Sequence, residues 1–259
     1  MNLNKDEELF IKRLKELSLQ SYNRGVSTFT DFLNLNEQNL FYSVERKLAS
    51  KTFVLWGGHE DSERKMIAFL CERDYDTVIN QCNYELFPII CIKITPCNAK
   101  YSDTFTHRDY LGAILNLGIE RGKIGDILIQ DNIGHVFCNP TIGTFILDHL
   151  SKIKHTSVHC EISYLDDLDI KPSLKELHGT VSSIRIDSIL SLAFNTSRSS
   201  LTGLISGGKV FVNGKLILSN SYTLKEGDVV SVRGLGKFIY KETSHQTKKG
   251  RYSVSVLKY

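Results

Sequence analysis

A chain of 259 residues is long for one compact domain and accommodates two or three modules. With 41% hydrophobic and 24% charged residues it is not a wholly disordered, collagen-like or coiled-coil protein, and no apolar run approaches the roughly 20 residues that cross a bilayer. The charge is segregated: residues 181–259 hold 12 Lys+Arg against four acids, whereas residues 1–180 hold 20 against 25. A basic module joined to an acidic body is the footprint of a polyanion-binding protein, most often one that binds nucleic acid.

Met1 to Glu16 is charged throughout and carries no apolar leader, so the expected location is the cytoplasm, with no membrane association. Leu9, Phe10, Leu14, Leu17 and Tyr22 recur at helical spacing behind Asp6, Glu7 and Glu8, and predict a helix ended by Asn23-Arg24-Gly25. A second helix is predicted from about Glu37 to Ser50, capped by Asn36, with Leu40, Phe41, Val44 and Leu48 inward. Thr52–Trp56 and Lys65–Leu70 read as two strands around Gly57-Gly58-His59-Glu60-Asp61. Residues 1–85 thus form a helical unit with a β-hairpin.

Residues 86–163 change pattern. Phe87–Thr95 is a strand and Arg108–Leu117 a helix with Leu111, Ile114 and Leu115 inward. Asp126–Gln130 and Val136–Cys138 are strands joined by the turn-forming Asp131-Asn132-Ile133-Gly134. Thr141–Ile153 is a helix with Phe145, Ile146 and His149 or Leu150 on one side, and Ser157–Ser163 is the last strand. The order βαββαβ is that of the ferredoxin-like split, shared with RNA-recognition modules and many unrelated proteins. Phe137 is the one aromatic placed for base stacking on such a sheet. Residues 164–180, acidic and then broken by Pro172, read as a linker.

None of the six cysteines forms a C-x-x-C pair, and they are expected to be free thiols, with Cys91, Cys138 and Cys160 in strands. His155, His159 and Cys160 are close together, but no carboxylate or second cysteine completes a metal set. No metal and no cofactor is expected.

The basic segment, residues 181–259, holds the densest pattern. Ser183 is placed to cap a helix bearing Ile186, Ile189, Leu190 and Ala193, and Ser197 a second bearing Leu201, Leu204 and Ile205, stopped by Gly207-Gly208. Lys209–Val212 is a strand, Asn213-Gly214 a strong hairpin signal, and Leu224–Asp228 a turn into a strand at Val229–Arg233. Lys237–Glu242 and Arg251–Leu257 complete a sheet.

The run Ser183-Ile184-Arg185-Ile186-Asp187-Ser188-Ile189-Leu190, then Ser197-Arg198 and Ile205-Ser206-Gly207-Gly208-Lys209-Val210-Phe211-Val212-Asn213-Gly214, with Leu224-Lys225-Glu226-Gly227-Asp228, resemble the S4 RNA-binding domain of the αL type. The run from Val232 to Phe238 and Lys248-Lys249-Gly250-Arg251 are similar to the variant in the YlmH family, as are His107–Gly112, Leu117-Gly118-Ile119 and Gly125-Asp126-Ile127. The resemblance implies a protein that binds rRNA and tRNA, associates with the large ribosomal subunit, and takes part in quality control of obstructed subunits carrying peptidyl-tRNA, with a link to cell division. A monomer is expected. The overall expectation is an α+β, multidomain chain: helical/hairpin N-terminal unit, ferredoxin-like (RRM-like) central unit, and C-terminal S4 domain.

The physical reading of the residues agrees. A helix N-terminus at Ser197-Arg198 offers free amides to a phosphate, and Arg185 and Arg198 can each donate two parallel hydrogen bonds to one. Lys209 stands beside two glycines, Arg233 and Lys237 flank a glycine-rich loop, and Lys248 and Lys249 on the turn Thr247–Gly250, with Arg251 after it, read either as phosphate contacts or as solubilising charge. Asp187 is a local partner for Arg185. The alternatives are an RNA-modifying enzyme, pseudouridine synthase-like, or a cell-division adaptor that uses the acidic body. The Gly-Arg-Leu-Asp run of such synthases does not occur, and Gly203–Lys209 spells a phosphate loop only with helix and strand reversed and Val210 in the metal-binding position. His107 and Asp109 could be drawn as an acid–base pair, but Asp109 at a helix start fits dipole stabilisation better.

Overall fold

Asn4 opens the first helix, α1 (Lys5–Arg24), with a reciprocal cap: its side chain accepts the Glu7 N–H at 2.9 Å and Glu7 accepts the Asn4 N–H at 3.0 Å. The computed structural model describes residues 4–163, 174–247 and 250–259. The chain divides into two compact units, residues 1–170 and residues 171–259.

In the first unit, β1 (Thr28–Phe29) leads to α2 (Leu35–Val44). The cap of α2 is Asn34, not the expected Asn36. Asn34 is the residue with a glutamate three positions on, so Glu37 can return a hydrogen bond to the backbone N–H at 2.7 Å. The helix ends at Val44, short of the expected Ser50, in one tighter turn at Glu45–Lys47. Next come β2 (Phe53–Trp56) and β3 (Met66–Phe69), in a sheet of order β1-β3-β2. A short helix, α3 (Glu72–Tyr75), continues into a wide π-helical turn.

The remaining elements of this unit are β4 (Ile90–Pro96), α4 (His107–Leu115), β5 (Ile124–Gln130), β6 (Ile133–Cys138), α5 (Pro140–His149), β7 (Lys152–Ile153) and β8 (Thr156–Ser163). The sheet order β5-β6-β4-β8-β7, antiparallel at every joint, is the ferredoxin-like split with one short added edge strand. Strand alternation sends Ile92, Ile94 and Val136 to one face, where Tyr110, Ile114 and Ile146 cover them. Leu115 and Phe145, expected inward, are exposed, and Tyr110 is the buried aromatic of α4. Its hydroxyl donates to the Asn132 carbonyl at 2.8 Å, which satisfies its polar end.

The opposite face of the sheet is also covered. Cys91 and Phe137 pack with Phe32, Met66, Ala68 and Phe87 in one core. The expected boundary near residue 85 is therefore bridged by shared apolar burial. Phe137 is wholly buried, so it is a core residue and not a stacking platform. Gly58 lies so close to the Phe137 ring that a Cβ there would come within 2.3 Å of it.

A buried carboxylate fixes this joint. Asp126 on β5 accepts the backbone N–H groups of Glu63 at 2.7 Å and Arg64 at 3.0 Å, and His59 Nε2 lies 3.4 Å from it. Burial alone would raise the Asp126 pKa, but the His59 imidazole and the two amides outweigh it and hold the carboxyl below the usual range. The Arg64 guanidinium donates to the carbonyls of Phe32 at 2.7 Å and Ile124 at 3.0 Å.

In the second unit, β9 (Lys175–Val181) precedes α6 (Ile186–Phe194) and α7 (Arg198–Ser206), followed by β10 (Val210–Val212), β11 (Lys215–Leu216), β12 (Val229–Val232), β13 (Gly236–Gln246) and β14 (Tyr252–Lys258). The expected linker 164–180 is corrected at its end: Lys175 to Val181 pair with Lys258 to Tyr252 as the edge of a six-stranded sheet, while residues 164–173 lie outside the described residues. The sheet order is β11-β10-β12-β13-β14-β9. Ser197 caps α7 as expected, whereas the cap position of α6 is Arg185 and not Ser183. One face of the sheet, with Val210, Val212, Val230, Val232 and Phe238, packs on Ile186, Ile189, Leu190, Leu201 and Ile205.

Replacing Asp126 by Asn is expected to cost about 1–3 kcal/mol, because charged acceptance of two buried amides is lost. A carboxylate held below its unfolded value, about 3.9, contributes stability that is full above that pH and is lost as the pH falls through the folded value. Urea titrations should therefore show the parent losing stability below about pH 4 more steeply than Asp126→Asn. Parallel pH curves for the two proteins would refute this role.

Candidate nucleic-acid interface

Two of the candidate cations flank α7, a helix about 13 Å long: Arg198 opens it and Lys209 follows its last turn. At its N-terminus the Ser197 hydroxyl accepts the Ser200 N–H at 3.4 Å. Arg198 is exposed, and its guanidinium donates to the hydroxyls of Ser188 and, at 3.4 Å, Ser182. No acidic residue occupies the first turn of α7. Arg185 is differently placed: its Nε and Nη2 lie 3.2 and 3.4 Å from the Asp187 carboxylate, which is nearly buried in the first turn of α6. The pairing of Arg185 with Asp187, one of the two roles open to it in the sequence, is the one the fold realises.

The second group forms where α7 gives way to the sheet. The Arg233 N–H donates to the Lys209 carbonyl at 2.9 Å, continuing the ladder in which Val210 faces Val232. Lys209 and Arg233 are thus cross-strand neighbours. Lys237 follows on β13 opposite Ser231. Strand alternation sets Lys209, Phe211, Ser231, Arg233 and Lys237 on the sheet face turned away from α6 and α7. The Arg233 guanidinium stands 5.3 Å from the Phe211 ring centre, and the Lys237 ammonium 4.1 Å from that of Tyr259. Among the described residues, neither Lys209 nor Arg233 has a carboxylate partner. The turn between β12 and β13 is Gly234-Leu235-Gly236, with φ of +88° and +111° at the two glycines and the Leu235 side chain exposed. Lys248 and Lys249 lie outside the described residues. Arg251 has a structural task, donating to the Thr180 carbonyl at 2.6 Å and so tying β14 to β9.

The candidate acid–base pair does not form. Asp109 is consumed by its helix cap: it accepts the Thr106 N–H at 2.8 Å and hydroxyl at 2.7 Å, and lies 2.9 Å from the Lys154 ammonium. Lys154 first, then Thr106, lower its pKa to about 2, which suits neither proton donation nor general-base work at neutral pH. His159 is exposed on β8, whereas Cys160 belongs to the core beneath α4 and α5, so strand alternation separates that pair. Burial pushes the Cys91 and Cys138 thiols up to about 12.

Sequence reasoning missed two concavities in the first unit. One, of about 860 Å³, is lined by Trp56 stacked on Tyr84 at 4.1 Å, with Phe87, His59, Glu60 and Glu85, and no Lys or Arg lines it. The other, of about 560 Å³, lies between α4 and the segment from His149 to Lys154. Their residues are scattered in sequence, and no spacing connects them.

Two known families match parts of the chain. The family described as "Putative RNA-binding domain in YlmH" matches residues 85–167, and the S4 domain family matches residues 184–230. The chain thus carries a match to the YlmH RNA-binding domain followed by a match to the S4 domain. It is similar to Ribosome-associated protein quality control protein P2 of Bacillus subtilis (strain 168), 29% identical over 258 residues, covering 98% of this chain and 96% of the relative. A solved structure titled cell division protein ylmH from Streptococcus pneumoniae is similar over 65% of this chain and 97% of its own, at 20% identity and a TM-score of 0.48. Within the S4 match fall Arg185, Arg198 and Lys209, while Arg233 and Lys237 lie just beyond it.

A side chain at Gly236 meets open space but must adopt a φ of +111°, outside the left-handed region that other residues tolerate. Gly236→Ala is expected to lower stability by about 1–3 kcal/mol, read as a lower melting temperature of the full chain. An unchanged melting temperature would show that the turn relaxes freely.

Proposed function

We propose that this chain is a non-enzymatic RNA-binding protein of the cytoplasm, whose S4 domain contacts rRNA and tRNA on the large ribosomal subunit. We further propose that it acts as a monomer, without a cofactor, on obstructed subunits that carry peptidyl-tRNA. The observation that carries this reading is the adjacency of Lys209 and Arg233. Like charges opposed across two strands destabilise a sheet, and here no carboxylate among the described residues relieves them. A phosphate between the two would do so. The Ser197-Arg198 helix terminus at the far end of α7 supplies a second phosphate contact. Lys237 extends the row on the same sheet face, Lys248 and Lys249 add non-specific attraction, and Arg185 contributes least because Asp187 already neutralises it. The similarity to a protein named for ribosome-associated quality control supports the setting.

In the full chain, Lys209→Glu with Arg233→Glu should abolish cosedimentation with large ribosomal subunits while leaving the melting temperature unchanged or raised. Arg198→Ala alone should weaken RNA binding by about 1–3 kcal/mol in filter binding. Retention of subunit association by the double variant would dismiss the S4 surface as the ribosome contact.

A further inference from the structure

The first unit is acidic overall, yet one of its concavities is not. The groove of about 560 Å³ between α4 and the end of α5 is lined by Arg108, His149, Lys152 and Lys154, with Asp109 as its one acid. Asp109 is engaged by Lys154 and the Thr106 cap. Arg108 and Lys152 are exposed and have no anionic partner among the described residues. Three of the seven Lys+Arg residues of the segment 85–167 thus converge on one groove.

An aromatic platform adjoins it. Phe145, exposed on α5, stacks on the His149 ring at 4.1 Å with 21° between the planes. The His149 Nδ1 donates to the Phe145 carbonyl at 2.9 Å, which fixes the ring in that position. Cations that track a backbone, beside a preorganised π-face, are what single-stranded nucleic acid requires.

The other faces of this unit do not meet that requirement. On the sheet face that RNA-recognition modules expose, Phe137 and Cys91 are buried beneath Phe32, Met66 and Phe87. Lys93 on that face is paired with Glu161 at 2.8 Å. The larger cavity, lined by Glu60 and Glu85 without any Lys or Arg, would repel phosphate.

We infer that the groove formed by Arg108, Lys152 and Lys154 on the helix face of the ferredoxin-like sheet is a second binding site, for single-stranded RNA, with the Phe145–His149 stack as its base platform. The inference rests on the reading of this chain as an RNA-binding protein, but not on the S4 residues. The match of residues 85–167 to a family described as RNA-binding places no contact on either face of the sheet, and the geometry selects the helix face.

The test uses the full chain and a fluorescein-labelled oligouridylate, read by fluorescence anisotropy across a salt series. Three proteins are compared: the Lys209→Glu/Arg233→Glu background, that background with Arg108→Glu/Lys152→Glu, and that background with Gly112→Leu. A Cβ at Gly112, in the middle of α4, meets no neighbouring atom within 4 Å, and leucine favours a helix over glycine, so this variant fills the groove without altering charge. The background should keep salt-dependent binding. Both groove variants should lower it at least about tenfold, and the charge variant should flatten the log–log salt slope by roughly 1.4, because two phosphates of a single strand are no longer neutralised. Groove variants that bind like the background would overturn the site, as would a background that binds nothing. Cosedimentation with subunits retained by the S4 background, with oligouridylate binding lost in the groove variants, would sink the S4 reading and leave the groove standing.

Discussion

The buried carboxylate of Asp126 is the constraint on which the first unit depends. It takes the backbone amides of Glu63 and Arg64 out of solvent and pairs them, and so fixes the loop between β2 and β3 onto the ferredoxin-like sheet. An unpaired buried amide is costly, so this loop cannot lift away without exposing the amides and leaving a carboxylate stranded in an apolar setting. Once the loop is docked, Gly58 lies against Phe137, and the hairpin and the sheet share one core. The sheet face that comparable folds offer to RNA is consumed by folding. What remains for a polyanion in this unit is the side that carries α4 and α5.

In the second unit the same physics operates with the opposite outcome. Asp228 accepts the Asn213 amide at 2.8 Å and the Lys225 N–H at 2.8 Å, and the Val229 N–H donates to Asn213 at 2.9 Å, so the hairpin tip is satisfied internally. Lys209 and Arg233 receive no such relief. Two cations opposed on a sheet without a carboxylate partner would gain stability from an anion placed between them. Arg185 shows the contrast: with Asp187 beside it, the guanidinium helps to hold the start of α6.

Most of the fold was legible in the sequence. The strand and helix order of both modules, the Gly25 stop, the Ser197 cap and the Asn213-Gly214 turn follow from local chemistry that acts within a few residues. The errors were local too where a reciprocal partner decided: Asn34 outcompetes Asn36 because Glu37 stands three residues after it. The S4 cations were legible because they lie in one contiguous basic segment. The groove of the first unit was not, since Arg108 and Lys152 are 44 residues apart in a chain whose surrounding charge is negative. Only the crossing of α4 past the α5–β7 segment brings them together.

The sequence by itself determined the two basic and acidic halves, the βαββαβ order and the positions of the phosphate-binding candidates, because charge, hydrophobic period and turn chemistry are written residue by residue. The tertiary structure decided which faces stay open. It buried Phe137 and placed β9 in a sheet where a linker was expected. It also paired Arg185 and left Lys209 opposite Arg233. Each of these depends on a partner remote in sequence, and pairing across such distances is settled by packing and by the cost of leaving a buried polar group unsatisfied.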